Sequence, residues 1–369
     1  MRAITVLALA GLLLSAPASA QTIETRISGF EYPWSLAFLP DGRMLVTEKP
    51  GRLRLIDEAG LVDAPVSGVP EVFYSGQGGL LDVAVSLEFQ SDGLIYLSWS
   101  GGRAGDNTLY LGRGQLVGDA LVDFEVLFEA TPRRRTDVHY GGRIALIPAG
   151  SGEAASLLLG IGDGFDYREE AQNPASHFGS FVHLLLDGQP ARSAMEHSAP
   201  GVISIGHRNP QAIVYDAENR VAWSHEHGPR GGDEINVIET STNYGWPITS
   251  HGVDYTGALV TPFQTYAGMA EPLHVWTPSI APAGMALYRG GMFPEWDGDL
   301  LVAALIPGDA DTPSGHVRRV DLEDDQVIGE EILFGEIGAR IRDVRAGPDG
   351  AVWLLTDEAD GRLIRVSRD

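Results

Sequence analysis

The residues best suited to chemistry lie between Gly206 and Pro247. Three segments follow one another there: G-H-R-N-P-Q at 206–211, H-E-H-G-P-R-G-G-D-E-I-N at 225–236 and N-Y-G-W-P at 243–247. They combine histidines, charges of both signs and glycine turns, and they show almost no helical spacing of apolar residues. Such a concentration is typical of loops that hold a ligand. We therefore predict that this region forms the floor of an active site.

The first of these segments carries Arg208, Asn209 and Gln211. Pro210 keeps Asn209 out of the helical region of backbone space, so the segment is extended and its side chains splay apart. A guanidinium group beside two amides suits a planar, oxygen-rich ligand. The alternative is a turn that is held by the asparagine side chain alone.

The second segment favours a hard cation over zinc. His225 and His227 lack the H-E-x-x-H spacing of a zinc-binding helix, and the chain contains no cysteine. Gly228 and Pro229 can turn their carbonyls inward, and Glu234 adds a carboxylate, which together make the mixed oxygen set that calcium prefers. The alternative is that the acidic side chains of this segment merely face solvent.

Candidates also lie in segments far from this region. His139 stands at a strand entrance before two glycines, where an imidazole can exchange protons near neutral pH, and a hydrogen-bonded loop histidine is the alternative. Arg340 and Arg342 share one side of an extended segment and repel each other unless an anion lies between them; a surface pair is the alternative. Gln77, between glycines, is interpreted as part of a turn, and the arginine run at 133–135 as a solvated loop.

The elements that must position these residues are strands. Turns of the Asp-Gly type lead into alternating or apolar runs at 40–48, 91–99, 216–224, 296–304 and 348–356, and the runs at 143–148 and 157–163 add a sixth unit. Long repeats without helices predict an all-β fold, namely a six-bladed β-propeller of four-stranded antiparallel blades. Seven blades or a pair of sandwiches are the alternatives. Strand pairs at 36–56 and 354–366 predict that the two chain ends complete one blade and close the ring.

Composition and the amino terminus indicate an exported protein. Residues 1–20 have a basic start, a short apolar run and an A-S-A end, so we predict a cleaved signal peptide followed by a single propeller domain at 21–369. We expect a periplasmic or secreted location and no membrane insertion after signal removal; a permanent amino-terminal anchor is the alternative. The net charge of −24 disfavours nucleic acid as a partner.

Together, these segments resemble the soluble pyrroloquinoline quinone (PQQ)-dependent aldose sugar dehydrogenases of the glucose/sorbosone dehydrogenase family. The resemblance runs from P-W-S-L-A-F-L-P-D-G at 33–42 to R-I-R-D-V-R-A-G-P-D-G at 340–350, and it includes S-G-Q-G-G-L-L at 75–81 and W-T-P-S-I-A-P-A-G at 276–284. It implies PQQ and Ca²⁺ as cofactors and an aldose substrate that is oxidised at the anomeric carbon to a lactone by hydride transfer to the quinone. It names neither the sugar nor the external electron acceptor.

The resemblance also implies roles for individual residues. His139 is similar to the catalytic base, and Arg208 to the group beside the reactive quinone carbonyl. The implied cofactor-binding set is Gln77, Gln172, Arg208, Asn209, Gln211, Arg340 and Arg342. The carbonyls of Gly228 and Pro229 would hold the calcium that contacts the quinone, and Glu234 and Tyr244 match a second, structural calcium site.

One departure from the family concerns the cofactor's cationic contacts. The family usually has a lysine where this chain has Ile306, and Lys49 is the only lysine of the chain. An arginine such as Arg318 or Arg319 could substitute, or the protein could have lost the quinone. Two alternative functions therefore stay open. One is a calcium-dependent lactonase in which a histidine activates water, and the other is a non-catalytic, sugar-binding propeller.

Overall fold

The computed structural model describes residues 21–150, 152–191, 195 and 197–368, and the predicted signal peptide at 1–20 lies outside them. The described chain opens with a long strand, β1 (Gln21–Phe30). The first blade contains β2 (Pro33–Phe38), β3 (Met44–Glu48), β4 (Arg52–Asp57) and β5 (Gly60–Leu61). The second contains β6 (Leu80–Val85), β7 (Leu94–Arg103), β8 (Asp106–Val117) and β9 (Ala120–Glu129).

The remaining blades follow in chain order. The third contains β10 (Gly141–Ile147), β11 (Ser156–Ile161), β12 (Ser180–Leu185) and β13 (Val202–Ile205). The fourth contains β14 (Pro210–Asp216), β15 (Val221–Glu226), β16 (Asp233–Val237) and, after β17 (Thr242–Asn243), β18 (His274–Trp276). Strand β17 pairs in parallel with β13 as a fifth strand of the third blade. The fifth contains β19 (Pro282–Leu287), β20 (Leu300–Ala304), β21 (His316–Glu323) and β22 (Gln326–Leu333). The sixth contains β23 (Ile341–Ala346), β24 (Val352–Thr356) and β25 (Gly361–Arg368).

Helix is limited to single turns within the described residues. One is α1 (Phe89–Asp92), and the others are 3₁₀ turns at Arg168–Gln172, Pro294–Trp296 and Gly335–Ile337. None of these described helices has the length and apolar character needed to cross a membrane.

The first strands of the blades, β2, β6, β10, β14, β19 and β23, contact each other in a closed ring. In the described part of the chain, an apolar cluster lies between each pair of neighbouring blades. Between the first and second blades, for example, Leu45 and Leu53 pack with Leu97. Because the chain has no cysteine, burial of these clusters is the main source of stability. The predicted six-bladed propeller is confirmed.

The predicted turns connect the first and second strands of their blades. Gly42 precedes β3, Gly93 precedes β7 and Gly350 precedes β24, with φ values of +90°, +63° and +81°. Such left-handed backbone favours glycine because it has no Cβ. The Asp-Gly pattern therefore marks the same position in successive blades.

Ring closure differs in detail from the prediction. Strand β1 pairs antiparallel with β25, from Gln21 opposite Arg368 to Phe30 opposite Gly361, and it completes the sixth blade. The strand pair predicted at 36–56 belongs to the separate first blade. Strand β1 is an edge strand with mostly exposed side chains. It therefore lacks the apolar alternation that reveals a strand in a sequence.

The chain order places the candidate residues at one end of the ring. In an antiparallel blade, the connection that enters the first strand and the connection between the second and third strands lie at the same end. We call this end the mouth. The connections found there include 62–79, 130–140, 162–179, 206–209, 227–232 and 357–360.

Candidate active site

A cavity of about 560 Å³ opens at the mouth. We call it the base cavity, and its lining includes His139, Asp163, Phe165, Arg208, Trp246 and Tyr255. These side chains come from three separate blade connections and from the long segment between β17 and β18. The propeller thus brings together residues that are up to about a hundred positions apart.

His139 is poised as a base. Its Nδ1 lies 2.7 Å from Asp163 Oδ1, and the imidazole is buried. Because a carboxylate accepts, Nδ1 carries the proton and Nε2 is left as the basic nitrogen. Burial lowers the pKa of His139 below 6.5; Asp163 opposes this shift, and the nearby positive charges of Arg208 and Arg134 add to it. The imidazole is therefore neutral at neutral pH, which is the form that accepts a proton.

The backbone of His139 is held in an unusual conformation. Its φ is +55°, and its N–H donates to Gln77 Oε1 at 2.8 Å. Its carbonyl accepts from Arg134 Nη1 at 2.7 Å. Arg134 is buried between the rings of Tyr140 and Phe178, at 4.5 and 4.7 Å. The prediction of a solvated arginine run is therefore wrong for Arg134, because its guanidinium supports the base from inside the fold.

Asp163 is a site residue that the sequence interpretation missed, since G-D-G-F-D at 162–166 looks like a plain turn. Its Oδ2 accepts from Trp246 Nε1 at 2.8 Å, while Oδ1 faces His139. Burial would raise the pKa of Asp163, but the hydrogen bond from His139 and the charge of Arg208 hold it below its ordinary value. The carboxylate is therefore charged and orients the imidazole. The available signal was an aspartate directly after a wholly buried strand.

Arg208 is held in the base cavity by carbonyl groups. Its Nη1 donates to Gly228 O at 2.6 Å and to His227 O at 3.1 Å, and its Nη2 donates to the Tyr255 hydroxyl at 3.3 Å. Pro229 also lines this cavity. The carbonyl of Gly228, one of the two predicted calcium ligands, thus faces a cation in this structure. A carbonyl that points toward a guanidinium group would also point toward a divalent ion bound at the same turn.

A second cavity, of about 400 Å³, adjoins the first. We call it the cationic cavity, and its lining includes Trp34, Lys49, Gln77, Gln211, Arg340, Arg342 and Asp357. The two cavities share a wall, because Gln77 lines this cavity and accepts from the backbone of His139. His227 lines it too, and its carbonyl accepts from Arg208. The predicted site residues are therefore divided between two adjacent compartments.

The anion between Arg340 and Arg342 is a carboxylate of the protein itself. Asp357 Oδ2 lies 2.9 Å from Arg340 Nη2 and 3.0 Å from Arg342 Nη2. Burial would raise the pKa of Asp357, but the two guanidinium groups lower it to about 2. Asp343, adjacent in sequence, instead pairs with Arg143. The two arginines do share an anion, as their spacing predicts, and it comes from the next strand connection.

Asn209 offers an unused donor to a ligand. Its Oδ1 accepts from Gln211 Nε2 at 3.2 Å, whereas its Nδ2 is buried and has no hydrogen-bond partner within the described residues. An unpaired buried N–H is costly, so it favours a ligand that brings an acceptor. Together with the cations of the neighbouring cavity, this donor fits an oxygen-rich, anionic group such as PQQ.

The structure does not bring Gln172 to either cavity. Its Nε2 donates to Asn243 Oδ1 at 3.0 Å and to Trp246 O at 2.7 Å, and its Oε1 accepts from Asn243 Nδ2 at 2.7 Å. The amide is fully occupied in holding the segment that carries Trp246. A direct cofactor contact by Gln172 is therefore not supported.

Glu234 and Tyr244, for which a second calcium site is predicted, line neither cavity, and that site stays a prediction. The Tyr244 hydroxyl accepts from the Glu239 N–H at 2.8 Å and donates to the Val237 carbonyl. Glu234 lies opposite Glu226 on the neighbouring strand, and burial together with that carboxylate raises the pKa of Glu234 to about 8. A cation beside Glu234 would oppose this shift, since an opposite charge favours the charged carboxylate. Nowhere in the described ranges do three acidic or histidine side chains form a group that could hold a metal.

Neither Arg318 nor Arg319 takes the position of the lysine usual in the family. Arg318 Nη1 pairs with Glu330 at 3.0 Å and Arg319 Nε pairs with Asp299 at 3.2 Å. Neither arginine lines the base cavity or the cationic cavity. Lys49, which is not among the predicted site residues, does line the cationic cavity.

Comparison with known proteins agrees with the motifs. A family model described as Glucose / Sorbosone dehydrogenase matches residues 30–365. The chain belongs to this family. It is 36% identical over 374 residues to the aldose sugar dehydrogenase YliI of Escherichia coli (strain K12), covering 99% of this chain and 97% of that protein. As a member of a dehydrogenase family, the protein is an oxidoreductase.

Solved structures show the same fold. The crystal structure of a glucose dehydrogenase is similar with a TM-score of 0.88 and 38% identity, covering 94% of this chain and 100% of that one. The PQQ-bound form of an aldose sugar dehydrogenase from Streptomyces coelicolor is similar with a TM-score of 0.74 and 26% identity, covering 96% of this chain and 100% of that one. The family and the fold predicted from the sequence are both confirmed.

Proposed function

We propose that the protein is a periplasmic quinoprotein that oxidises aldoses to lactones, with PQQ and calcium as cofactors. The observation that carries this proposal is the hydrogen-bonded pair of His139 and Asp163, a neutral base in a cavity that adjoins a cationic one. Similarity to an aldose sugar dehydrogenase and to a PQQ-bound relative supports the choice of substrate class and cofactor.

Proton transfer takes place in the base cavity. His139 Nε2 takes the proton of the anomeric hydroxyl, while Asp163 keeps Nδ1 protonated and stabilises the imidazolium that forms. The hydride leaves the same carbon, so the anomeric C–O bond becomes the carbonyl of the lactone. PQQ, when bound, would supply the electrophilic carbon that accepts this hydride. Arg208, in the same cavity, stabilises negative charge that develops there.

Aromatic side chains shape the substrate's place. Phe165 and Tyr255 line the base cavity with their ring centroids 6.3 Å apart and an interplanar angle of 26°. Both rings are exposed, whereas Trp246, which also lines the cavity, is buried. Apolar walls with a few convergent polar groups are typical of small-molecule sites. These rings would pack against the carbon faces of a sugar and direct its anomeric hydroxyl toward the base.

The cofactors would be held at the wall between the cavities and in the cationic cavity. The side chains that would hold PQQ are those of Gln77, Asn209, Gln211, Arg340 and Arg342. The carbonyls of Gly228 and Pro229 would hold calcium, which accepts such oxygen ligands. The second calcium site predicted at Glu234 and Tyr244 is not needed for this step.

Reconstitution tests this function. Purified protein mixed with PQQ and calcium should gain a visible absorption band and should reduce a dye when glucose or another aldose is added. Absence of the band, together with no aldose oxidation, would overturn the proposal. Lactone hydrolysis with calcium alone would indicate the hydrolase instead, and sugar binding without turnover would indicate a binding protein. Mass spectrometry of the exported protein should find an amino terminus at Gln21.

A further inference from the structure

Among the described residues, no carboxylate forms an ion pair with Lys49 in the cationic cavity. Its side chain is half-buried, and Nζ donates to the Gly76 carbonyl at 3.0 Å. No carboxylate of the described residues lies within ion-pair distance of it. A buried ammonium group is normally stabilised by an opposite charge. A lysine that lines a cavity without one therefore indicates that the partner is a ligand.

The cavity as a whole has an excess of positive charge. Arg340 and Arg342 share the single carboxylate of Asp357, and Lys49 adds a third cation, so two positive charges are uncompensated. His227 also lines this cavity, but burial and the charge of Arg208 lower its pKa well below 6.5, so it is neutral. In a chain of net charge −24, such a local excess attracts an anion.

The protonation of Lys49 responds to this excess. Burial and the charges of Arg342 and Arg340 lower the pKa of Lys49, and Asp357 only partly opposes them. An anion bound among these cations would favour the charged ammonium, since an opposite charge nearby raises the pKa of a lysine. Ligand binding and full protonation of Lys49 are therefore coupled.

The backbone of Lys49 is fixed in advance. Its N–H donates to the Tyr32 carbonyl at 3.1 Å, and its carbonyl accepts from the Leu80 N–H at 3.0 Å. Gly79 approaches the same carbonyl so closely that a Cβ at that position would overlap it. The turn between β3 and β4 is thereby tied to the second blade. Only the flexible stem of the lysine has to order when a ligand binds, which lowers the entropic cost of binding.

We propose that Lys49 binds a carboxylate of PQQ, beside the arginine pair at 340 and 342. This assignment deepens the proposed function and rests on it. A planar tricarboxylate matches a cavity with three cationic side chains, and Lys49 supplies the cation that neither Arg318 nor Arg319 provides. The family's lysine contact would thus be replaced by one from a different blade.

Chemical labelling offers a direct test, because an amine-specific reagent can modify only Lys49 and the amino terminus. Mass spectrometry should show that PQQ slows labelling of Lys49 by about tenfold or more, whereas labelling of the amino terminus is unchanged and serves as the internal control. Protection follows from the ammonium being engaged with a carboxylate, since the charged form does not react. The measurement needs no turnover.

Variants give the matched test. Lys49→Met keeps the length of the side chain and removes its charge, so the Kd for PQQ should rise by about tenfold or more, as for loss of a hydrogen bond to a charged group. Lys49→Arg should restore affinity to within a few-fold. Arg103→Ala is the control, because Arg103 is 83% exposed and lines neither cavity. Circular dichroism and thermal melting establish that each variant is folded.

The outcomes separate the two proposals. If the wild-type protein binds PQQ while Lys49 labels at the same rate and Lys49→Met binds equally well, the role of Lys49 is overturned and the proposed function stands. If the wild-type protein does not bind PQQ at all, both proposals fail. The role of Lys49 would be supported by three results together: protection of Lys49 from labelling, weaker PQQ binding by Lys49→Met and recovery of binding by Lys49→Arg.

Discussion

The base cavity and the cationic cavity share a wall but differ in how their charges are paired. In the base cavity, both oxygens of Asp163 accept hydrogen bonds, from His139 and from Trp246, and the imidazole is neutral. In the cationic cavity, Asp357 is shared by two arginines. Lys49 contacts the Gly76 carbonyl and the Tyr74 ring, and no carboxylate of the described residues lies within ion-pair distance of it. The pairing of His139 with Asp163 is complete without a ligand, whereas the charges of the cationic cavity are not balanced without one.

Because of this difference, we expect the base cavity to determine the rate of the chemical step and the cationic cavity to determine the affinity for the cofactor. A base whose orientation is already fixed by the fold contributes to the chemical step, so its loss should lower kcat with little effect on cofactor binding. A cavity with uncompensated charge contributes to binding, so its loss should raise the Kd of an anionic cofactor. The predictions below, in order of decreasing effect, test whether the two compartments can be separated in this way.

Removal of the base should have the largest effect. His139→Asn should lower kcat for dye reduction by about 10³-fold, within the range for loss of a general base. Asparagine tolerates the left-handed backbone at this position, where φ is +55°. The Kd for PQQ, from absorbance titration, should change by less than about threefold. Unchanged turnover would remove His139 from the role of base.

Removal of the carboxylate that orients the base should have the second largest effect on turnover. Asp163→Asn keeps the shape of the side chain but loses the carboxylate that fixes the imidazole tautomer, so kcat should fall by about 10²-fold. Rapid single-turnover measurements should place the loss in the chemical step. Retained kcat together with weaker PQQ binding would contradict the division between the cavities.

The pH dependence follows from the lowered pKa of His139. The neutral imidazole is the active form, so kcat/KM should be constant above pH 6.5 and should decline only below it, by about tenfold per pH unit. Because the Asp163 carboxylate raises the pKa of His139, Asp163→Asn should move this acid limb to still lower pH. An acid limb centred well above pH 6.5 would contradict a neutral, buried base.

Arg134→Met should have a moderate effect. The change removes the donor to the His139 carbonyl, and we expect kcat to fall by about tenfold. Because the positive charge of Arg134 lowers the pKa of His139, the acid limb should move upward in this variant. The guanidinium Nε and Nη2 are buried and have no hydrogen-bond partner among the described residues, so stability should change by less than about 2 kcal/mol. A lower melting temperature with an unshifted pH profile would indicate a purely structural role.

Gln172→Ala should have the smallest effect on function. The change removes the amide that binds Asn243 and the Trp246 carbonyl, which should cost about 1–2 kcal/mol of unfolding free energy. PQQ affinity should be unchanged, whereas Gln77→Ala should weaken it, since Gln77 lies in the shared wall. Equal loss of PQQ affinity in the two variants would restore Gln172 to the cofactor set.

Several parts of the site could be predicted from local sequence. The Asp-Gly turns mark the same step in several blades because left-handed backbone favours glycine there. His139 stands shortly before two glycines and Arg208 shortly after Gly206, and the structure places both in one cavity. Strand β1 was missed as the closing strand because an exposed edge strand carries no apolar period. Asp163 was missed because a glycine-flanked aspartate has the same pattern whether it bonds to solvent or to a histidine.

By itself, the sequence determined the repeat of strands and turns, and with it the propeller and the chain positions that lie at its mouth. These features depend on residue type over a few neighbouring positions, which is the range of backbone preference and side-chain alternation. Only the tertiary structure decided which charges are paired. Asp357 lies between the arginines and Lys49 faces the same cavity without a carboxylate because the ring sets distant connections within a few ångströms of each other. Electrostatic balance depends on those distances, and no local pattern encodes them.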